Sequence, residues 1–167
     1  ICAGGTGGGV YPALTVTERL NSDTEVLWVG SEGGMEAELI ARANLPYKGI
    51  RAAGVHGISA QQLPGNLVKL WQGYKQAKRI LSDYQPDVLM FTGGYVAIPM
   101  ALAGLKIKTL LFIPDIEPGL ALKTLARFSD KIAVTVSDSK RYFSKKERID
   151  VTGYPLRKDM MKWTKAD

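Results

Sequence analysis

Ile1-Cys2-Ala3-Gly4-Gly5-Thr6-Gly7-Gly8-Gly9-Val10-Tyr11-Pro12-Ala13-Leu14 opens the chain, and its reading decides the fold. Three apolar residues lead into a run of glycines, and a helical pattern follows near Pro12. This is a strand, a loop and a helix in sequence. An opening strand usually has about five or six residues, so a few residues are expected to precede Ile1. Glycine lets a backbone come close to a ligand and take positive φ. The N–H groups of such a loop, with the N-terminus of the helix behind it, make an anion site. Phosphate or diphosphate is the natural guest, and the five glycines among Gly4–Gly9 exceed what a tight turn needs. The loop is not a Walker A, because no Gly-Lys-Ser/Thr follows. It is not G-x-G-x-x-G either: counted from Gly5 the last position is Val10, and from Gly7 it is Pro12. That counts against a nicotinamide or flavin enzyme.

Outward from this stretch, short apolar runs alternate with longer helical patterns. The expected strands are Ile1–Ala3, Glu25–Val29, Tyr47–Arg51, Val88–Phe91, Thr109–Ile113, Lys131–Val134 and Ile149–Val151. The expected helices are Pro12–Leu20, Met35–Ala43, Asn66–Ser82, Val96–Leu105, Leu120–Phe128 and a short one at Ser139–Phe143. Runs such as Val88-Leu89-Met90-Phe91 are apolar on both faces, as in strands buried between two helix layers. The alternation implies right-handed βαβ units and a doubly wound parallel sheet, a Rossmann-like α/β domain. The longest uncharged stretch, Val88–Leu105, is interrupted by Thr92, Gly93, Gly94, Pro99 and Gly104, so it reads as strand, turn and helix rather than a membrane span. The domain is expected to cover 1–155, with 156–167 starting a linker to a further domain.

The 167 residues allow one ordinary domain with a real core. Lys plus Arg exceeds Asp plus Glu by 22 − 16 = 6. The chain has one cysteine, Cys2, and one histidine, His56. An intrachain disulfide and a zinc site built from His and Cys are thereby excluded, and a reducing compartment is the simpler reading. His56 is either the one imidazole base or a surface-loop residue; no G-x-S-x-G elbow is present to pair with it. The helix Asn66–Ser82 has Leu67, Leu70, Trp71, Tyr74, Ala77 and Leu81 on an apolar face expected to be mostly core. Around it stand Lys69, Lys75, Lys78 and Arg79, and Ser139–Arg148 adds further basic residues. Such charge suits either an anionic membrane surface or a solvated face. No nucleic-acid reading motif accompanies it.

In a doubly wound sheet, ligands sit at the carboxyl ends of the strands. A second glycine loop, Thr92-Gly93-Gly94-Tyr95, follows the expected fourth strand, where a second phosphate contact belongs. Tyr95 either bonds a ligand or packs. Asp115-Ile116-Glu117 is an acidic pair suited either to a divalent ion beside a diphosphate or to capping the next helix; no metal or other cofactor is indicated.

Gly4-Gly5-Thr6-Gly7-Gly8-x-Val10-Tyr11-Pro12 resembles the first glycine loop of the MurG-like glycosyltransferases of family 28. Met35-Glu36-Ala37-Glu38-Leu39, Tyr84-x-Pro86-Asp87-Val88, Gly93-Gly94-Tyr95-Val96 with Pro99, Pro118-Gly119-Leu120 and Thr152-Gly153-Tyr154-Pro155-Leu156-Arg157 resemble later family segments, in order. The resemblance runs from about Ile1 to Asp159. It implies the amino-terminal, acceptor-side half of a GT-B enzyme. Such an enzyme transfers N-acetylglucosamine from UDP-N-acetylglucosamine to a polyprenyl-diphosphate-linked muramyl-peptide in peptidoglycan synthesis. It implies a hexosyltransferase that is peripheral on the cytoplasmic face of a bacterial membrane, with the carboxy-terminal domain bringing the donor.

By the resemblance, Thr6, Gly7, Gly8 and Gly9 touch the donor or the diphosphate, and Gly93, Gly94 and Tyr95 hold the acceptor. Arg157 matches a donor-contacting arginine. Trp71, Lys75, Lys78 and Arg79 are the expected membrane contacts. The family usually has His after Gly8, where this chain has Gly9. It usually has His-Glu-Gln-Asn after the fifth strand, where this chain reads Phe112-Ile113-Pro114-Asp115. Transfer needs a base or dipole at the acceptor hydroxyl, so Asp115 and Glu117 become the expected catalytic residues. The alternative is a non-catalytic binding module for a polyprenyl-diphosphate sugar or a nucleotide, dependent on a partner chain for catalysis.

Overall fold

The structure is a computed structural model that describes residues 1–4, 7–54, 59, 61–144 and 148–156. Its elements in chain order are α1 (Gly7–Thr17), β1 (Trp28–Ser31), α2 (Glu36–Arg42), β2 (Tyr47–Ile50), α3 (Leu63–Tyr84), β3 (Val88–Phe91), α4 (Ala97–Ala103), β4 (Lys108–Ile113), α5 (Leu120–Ala126), β5 (Lys131–Val134), a 3-10 turn (Ser137–Tyr142) and β6 (Ile149–Val151). β1 pairs β2 in parallel, and β3, β4, β5 and β6 form a parallel run. The opening residues join the two. Cys2 bridges both Val29 of β1 and Phe91 of β3, and its N–H donates to the Met90 carbonyl at 2.7 Å. The sheet order is therefore β2-β1-opening segment-β3-β4-β5-β6. The order reverses at the opening segment, which makes the gap between it and β3 the topological switch point.

Side chains alternate along each central strand, as the pleat requires. Leu89 and Phe91, Leu111 and Ile113, and Ile132 and Val134 enter one core with Ala77 and Leu81 of α3, Met100 of α4 and Leu125 of α5. The residues between them, Met90, Phe112 and Ala133, face the opposite side, where Val16 of α1 packs. A third cluster joins Ala3, Val10, Ala13, Trp28 and Ile40 between α1, α2 and β1. Each large side chain buried in this way contributes about 1.5–3 kcal/mol relative to exposure. Two helix layers thus enclose the sheet, which bears out the Rossmann-like reading.

Several boundaries differ from the sequence reading, for local reasons. α1 starts at Gly7, not Pro12. Gly7, Gly8 and Gly9 are helical and form its first turn instead of a loop. β1 starts at Trp28, not Glu25; its pairing starts at Trp28 opposite Tyr47, and Pro46 has no N–H to carry the ladder further back. α3 starts at Leu63, with Pro64 in its first turn, and stops where Gln85 turns left-handed at φ 50°. The expected short helix at Ser139–Phe143 is a 3-10 turn. The face of α3 expected to be mostly core is split: Ala77 and Leu81 are buried, but Leu67 and Trp71 are more than half exposed.

Candidate functional site

The two glycine segments meet at the switch point. The first leaves the opening strand at Gly4 and becomes the first turn of α1. The second leaves β3 at Thr92 and turns through Gly93 and Gly94 into α4. Both Gly93 (φ 125°) and Gly94 (φ 84°) lie in the left-handed region that favours glycine. A Cβ on Gly94 would strike the Gly4 carbonyl, so the two backbones touch with no side chain between them. Gly9 is packed inward: a Cβ there would lie 3.0 Å from the Thr92 carbonyl and 3.2 Å from Thr92 Oγ1. Gly8 is exposed and Gly7 half-buried, which leaves their N–H groups at the free end of an eleven-residue helix. The first amides of a helix have no intrahelical acceptor and carry the positive end of its dipole. Pro12, inside α1, has no N–H to give back to the Gly8 carbonyl.

Thr92 adds a group that the sequence reading did not single out. Its hydroxyl is buried and has no hydrogen-bond partner among the described residues. It lies at the carboxyl end of β3, against the first turn of α1. A Thr before a Gly-Gly pair is the only signal the sequence offers for it. Cys2, between the two loops, is fully buried, and burial pushes its thiol up to about 12. It is therefore a packing residue and not a nucleophile.

The remaining expected site residues surround this junction. Tyr95 packs its ring on Gly54, where a Cβ would come within 2.7 Å of Cζ, yet stays 54% exposed. Gly54 is tied to α3 through its carbonyl, which accepts from Asn66 Nδ2 at 2.6 Å. Asp115 and Glu117 lie on the exposed loop between β4 and α5. The loop is braced by Thr135 Oγ1 donating to the Pro114 carbonyl at 3.2 Å. Glu117 pairs with Lys123 at 3.4 Å, whereas Asp115 has no hydrogen bond or ion pair among the described residues. Ile113, at the position where the resemblance expects a glutamate, is fully buried in the main core. No group of three or more metal-ligating side chains occurs among the described residues. Thr6, His56 and Arg157 lie outside the described residues.

On α3, Lys75 Nζ stands 3.7 Å from the Trp71 ring centroid, and Lys78 lies 5.7 Å from that of Tyr74. Exposed Leu67 and Val68 extend this apolar face. No helix among the described residues is long and apolar enough to cross a membrane.

A Rossmann-like half-molecule with two glycine segments converging at the switch point has the architecture of the amino-terminal half of GT-B glycosyltransferases. The MurG crystal structure from Acinetobacter baumannii superimposes with a TM-score of 0.75 at 25% identity, over 97% of this chain and 46% of that one. Anabaena HepE, solved with UDP and glucose, gives 0.63 at 13% identity and supports the fold alone. The glycosyltransferase family 28 N-terminal domain matches residues 1–134, and the chain belongs to this family. The UDP-N-acetylglucosamine–N-acetylmuramyl-(pentapeptide) pyrophosphoryl-undecaprenol N-acetylglucosamine transferase of Desulforamulus reducens is 37% identical over 96% of the chain. The chain spans 45% of that relative's length.

Proposed function

We propose that this chain is the acceptor-side domain of an N-acetylglucosaminyl transferase, and that its two glycine segments hold the diphosphate of a polyprenyl-diphosphate-linked muramyl-peptide. The observation that carries this reading is the packing of the first segment on the second, Gly4 against Gly94 and Gly9 against Thr92, which sets the start of α1 beside the turn after β3. Backbone amides and a helix dipole favour a diphosphate over a neutral ligand. The buried Thr92 hydroxyl, unpaired among the described residues, supplies a further donor. The relatives' names give the pyrophosphoryl-undecaprenol acceptor, and UDP-N-acetylglucosamine is the donor, brought by a carboxy-terminal domain.

In this reading Asp115, exposed and without an ion-pair partner among the described residues, is the base that takes the proton of the attacking acceptor hydroxyl. That oxygen displaces UDP from the sugar's anomeric carbon. Glu117, already paired with Lys123, shapes the loop. Trp71, Lys75, Lys78 and Arg79 rest on an anionic membrane surface at its cytoplasmic face, each basic residue contributing about 1 kcal/mol close to it. A second reading, a binding module without catalysis, is favoured by one observation. Gly9 and buried Ile113 leave the family's imidazole and carboxylate positions without a titratable group.

The test is an amide titration of the labelled chain with two ligands separately, a short-chain prenyl-diphosphate-linked muramyl-peptide and UDP-N-acetylglucosamine. The expected result is shifts at Gly7, Gly8, Gly93 and Gly94 with the first ligand alone. Shifts with UDP-N-acetylglucosamine alone would make the chain a nucleotide-binding module, and no shifts with either would remove the diphosphate site. Repeating the titration with anionic vesicles is expected to broaden the Trp71 side-chain resonance. An unchanged Trp71 signal would remove the membrane contact.

A further inference from the structure

One charged side chain buried in the fold plays no part in the mechanism just given. Glu36, the first residue of α2, is 0% exposed, and its Oε1 accepts the Ser31 N–H at 2.7 Å. Three glycines border its carboxylate, Gly30 and Gly34 at the end of β1 and the turn after it and Gly4 at the end of the opening strand. A Cβ on Gly34 would lie 2.5 Å from both oxygens and one on Gly30 2.8 Å from Oε1; one on Gly4 would lie 3.0 Å from Cδ and strike Oε1. A carboxylate taken out of water is costly unless donors hold it, yet three positions have given up side chains to admit this one.

The third of these glycines gives the arrangement its meaning. Gly4 is where the first glycine segment leaves the sheet, and its carbonyl is the atom that a Cβ on Gly94 would strike. The Glu36 carboxylate, Gly4 and Gly94 are therefore stacked in contact, from the turn after β1 to the turn after β3. We propose that Glu36 is a positioning residue of the diphosphate site, a buried prop that sets how far Gly4 stands from the β1–α2 turn and hence how closely the two glycine segments approach. This rests on reading those segments as the diphosphate site. Glu36 touches no phosphate itself; it acts through the place it gives to Gly4.

The experiment uses the full chain and inorganic pyrophosphate, followed by the amides of Gly7, Gly8, Gly93 and Gly94, with thermal unfolding measured in parallel. Glu36→Asp draws the carboxylate back by one methylene, away from Gly4, and is expected to weaken pyrophosphate by about tenfold, the scale of one lost hydrogen bond to a charged group. Glu36→Gln keeps the length and one acceptor for the Ser31 N–H, so its affinity stays closer to the native value than that of Glu36→Asp. The double variant Gly4→Ala/Glu36→Asp puts a methyl group into the space vacated and is expected to recover binding relative to Glu36→Asp. A residue with a merely structural role would lower the melting temperature without this ordering of affinities.

Equal affinity in Glu36→Asp and the native chain would overturn the proposal, and so would a double variant that binds no better than Glu36→Asp. If Glu36→Asp does not fold, Gly4→Ala decides the question: it pushes the same contact from the other side, and unchanged pyrophosphate affinity would overturn the proposal. Absence of pyrophosphate binding in the native chain would remove the diphosphate reading, and this role with it. Native binding with unaffected variants would remove the positioning role alone.

Discussion

The two glycine segments look alike in sequence and differ in what they ask of glycine. At Gly7–Gly9 the backbone is an ordinary helical turn, and glycine matters chiefly where Gly9 presses on Thr92. At Gly93–Gly94 the backbone itself is left-handed at both residues, and Gly94 also touches the Gly4 carbonyl. The first segment uses glycine for space and the second for conformation and space together. A run of glycines in a sequence therefore does not say which physical demand produced it, and substitution separates the two.

The largest effect is expected at Gly94. A left-handed backbone costs an L-residue roughly 1–2 kcal/mol, and overpacking against a carbonyl adds about 1–3 kcal/mol. Gly94→Ala should therefore lose about 3 kcal/mol, measured by denaturant unfolding, and the melting temperature should fall by roughly 6–12 °C at about 2–4 °C per kcal/mol. A loss no larger than that of a helical glycine would erase the distinction between the segments.

Gly9→Ala comes next. Its backbone accepts alanine, which favours the helix by about 1 kcal/mol. The new methyl group, however, meets the Thr92 carbonyl at 3.0 Å, an overpacking worth about 1–3 kcal/mol. The net loss should be about 1 kcal/mol by the same unfolding measurement. Thr92→Ala in the same chain should give little back, because the nearest atom is backbone. Full recovery in the double variant would place the conflict at the hydroxyl instead.

The fold was legible because the central strands carry apolar runs with the pleat's alternation. Leu111, Phe112 and Ile113 read as buried on both faces, and they are. The place of both glycine segments at the sheet's carboxyl edge was legible for the same reason, since a strand followed by glycines and a helix puts its loop there; the strand order that makes their meeting point the switch point was not. Three further features were not readable. Glu36 is buried because Gly4, Gly30 and Gly34 converge on it, and no local pattern reports a convergence of residues 30 apart. Trp71 sits at helical spacing with Ala77 and Leu81, yet is exposed, because the buried part of α3 starts only at Gly73 and the turns before it face outward. The helical state of Gly7–Gly9 runs against glycine's propensity and is imposed by the close approach of α1 to β3, a tertiary demand.

The smallest effect has the most discriminating sign. Gly8 is exposed, lies in the first turn of α1 and has ordinary helical φ. If the helical part of the first segment needs glycine only where it presses on Thr92, Gly8 is free to change. Gly8→Ala should then stabilise the chain by about 0.5–1 kcal/mol, because alanine loses less backbone entropy in a helix. The melting temperature should rise by about 1–4 °C. A fall instead would mean that the first segment is constrained along its whole length, and that the contrast with Gly93–Gly94 is one of degree.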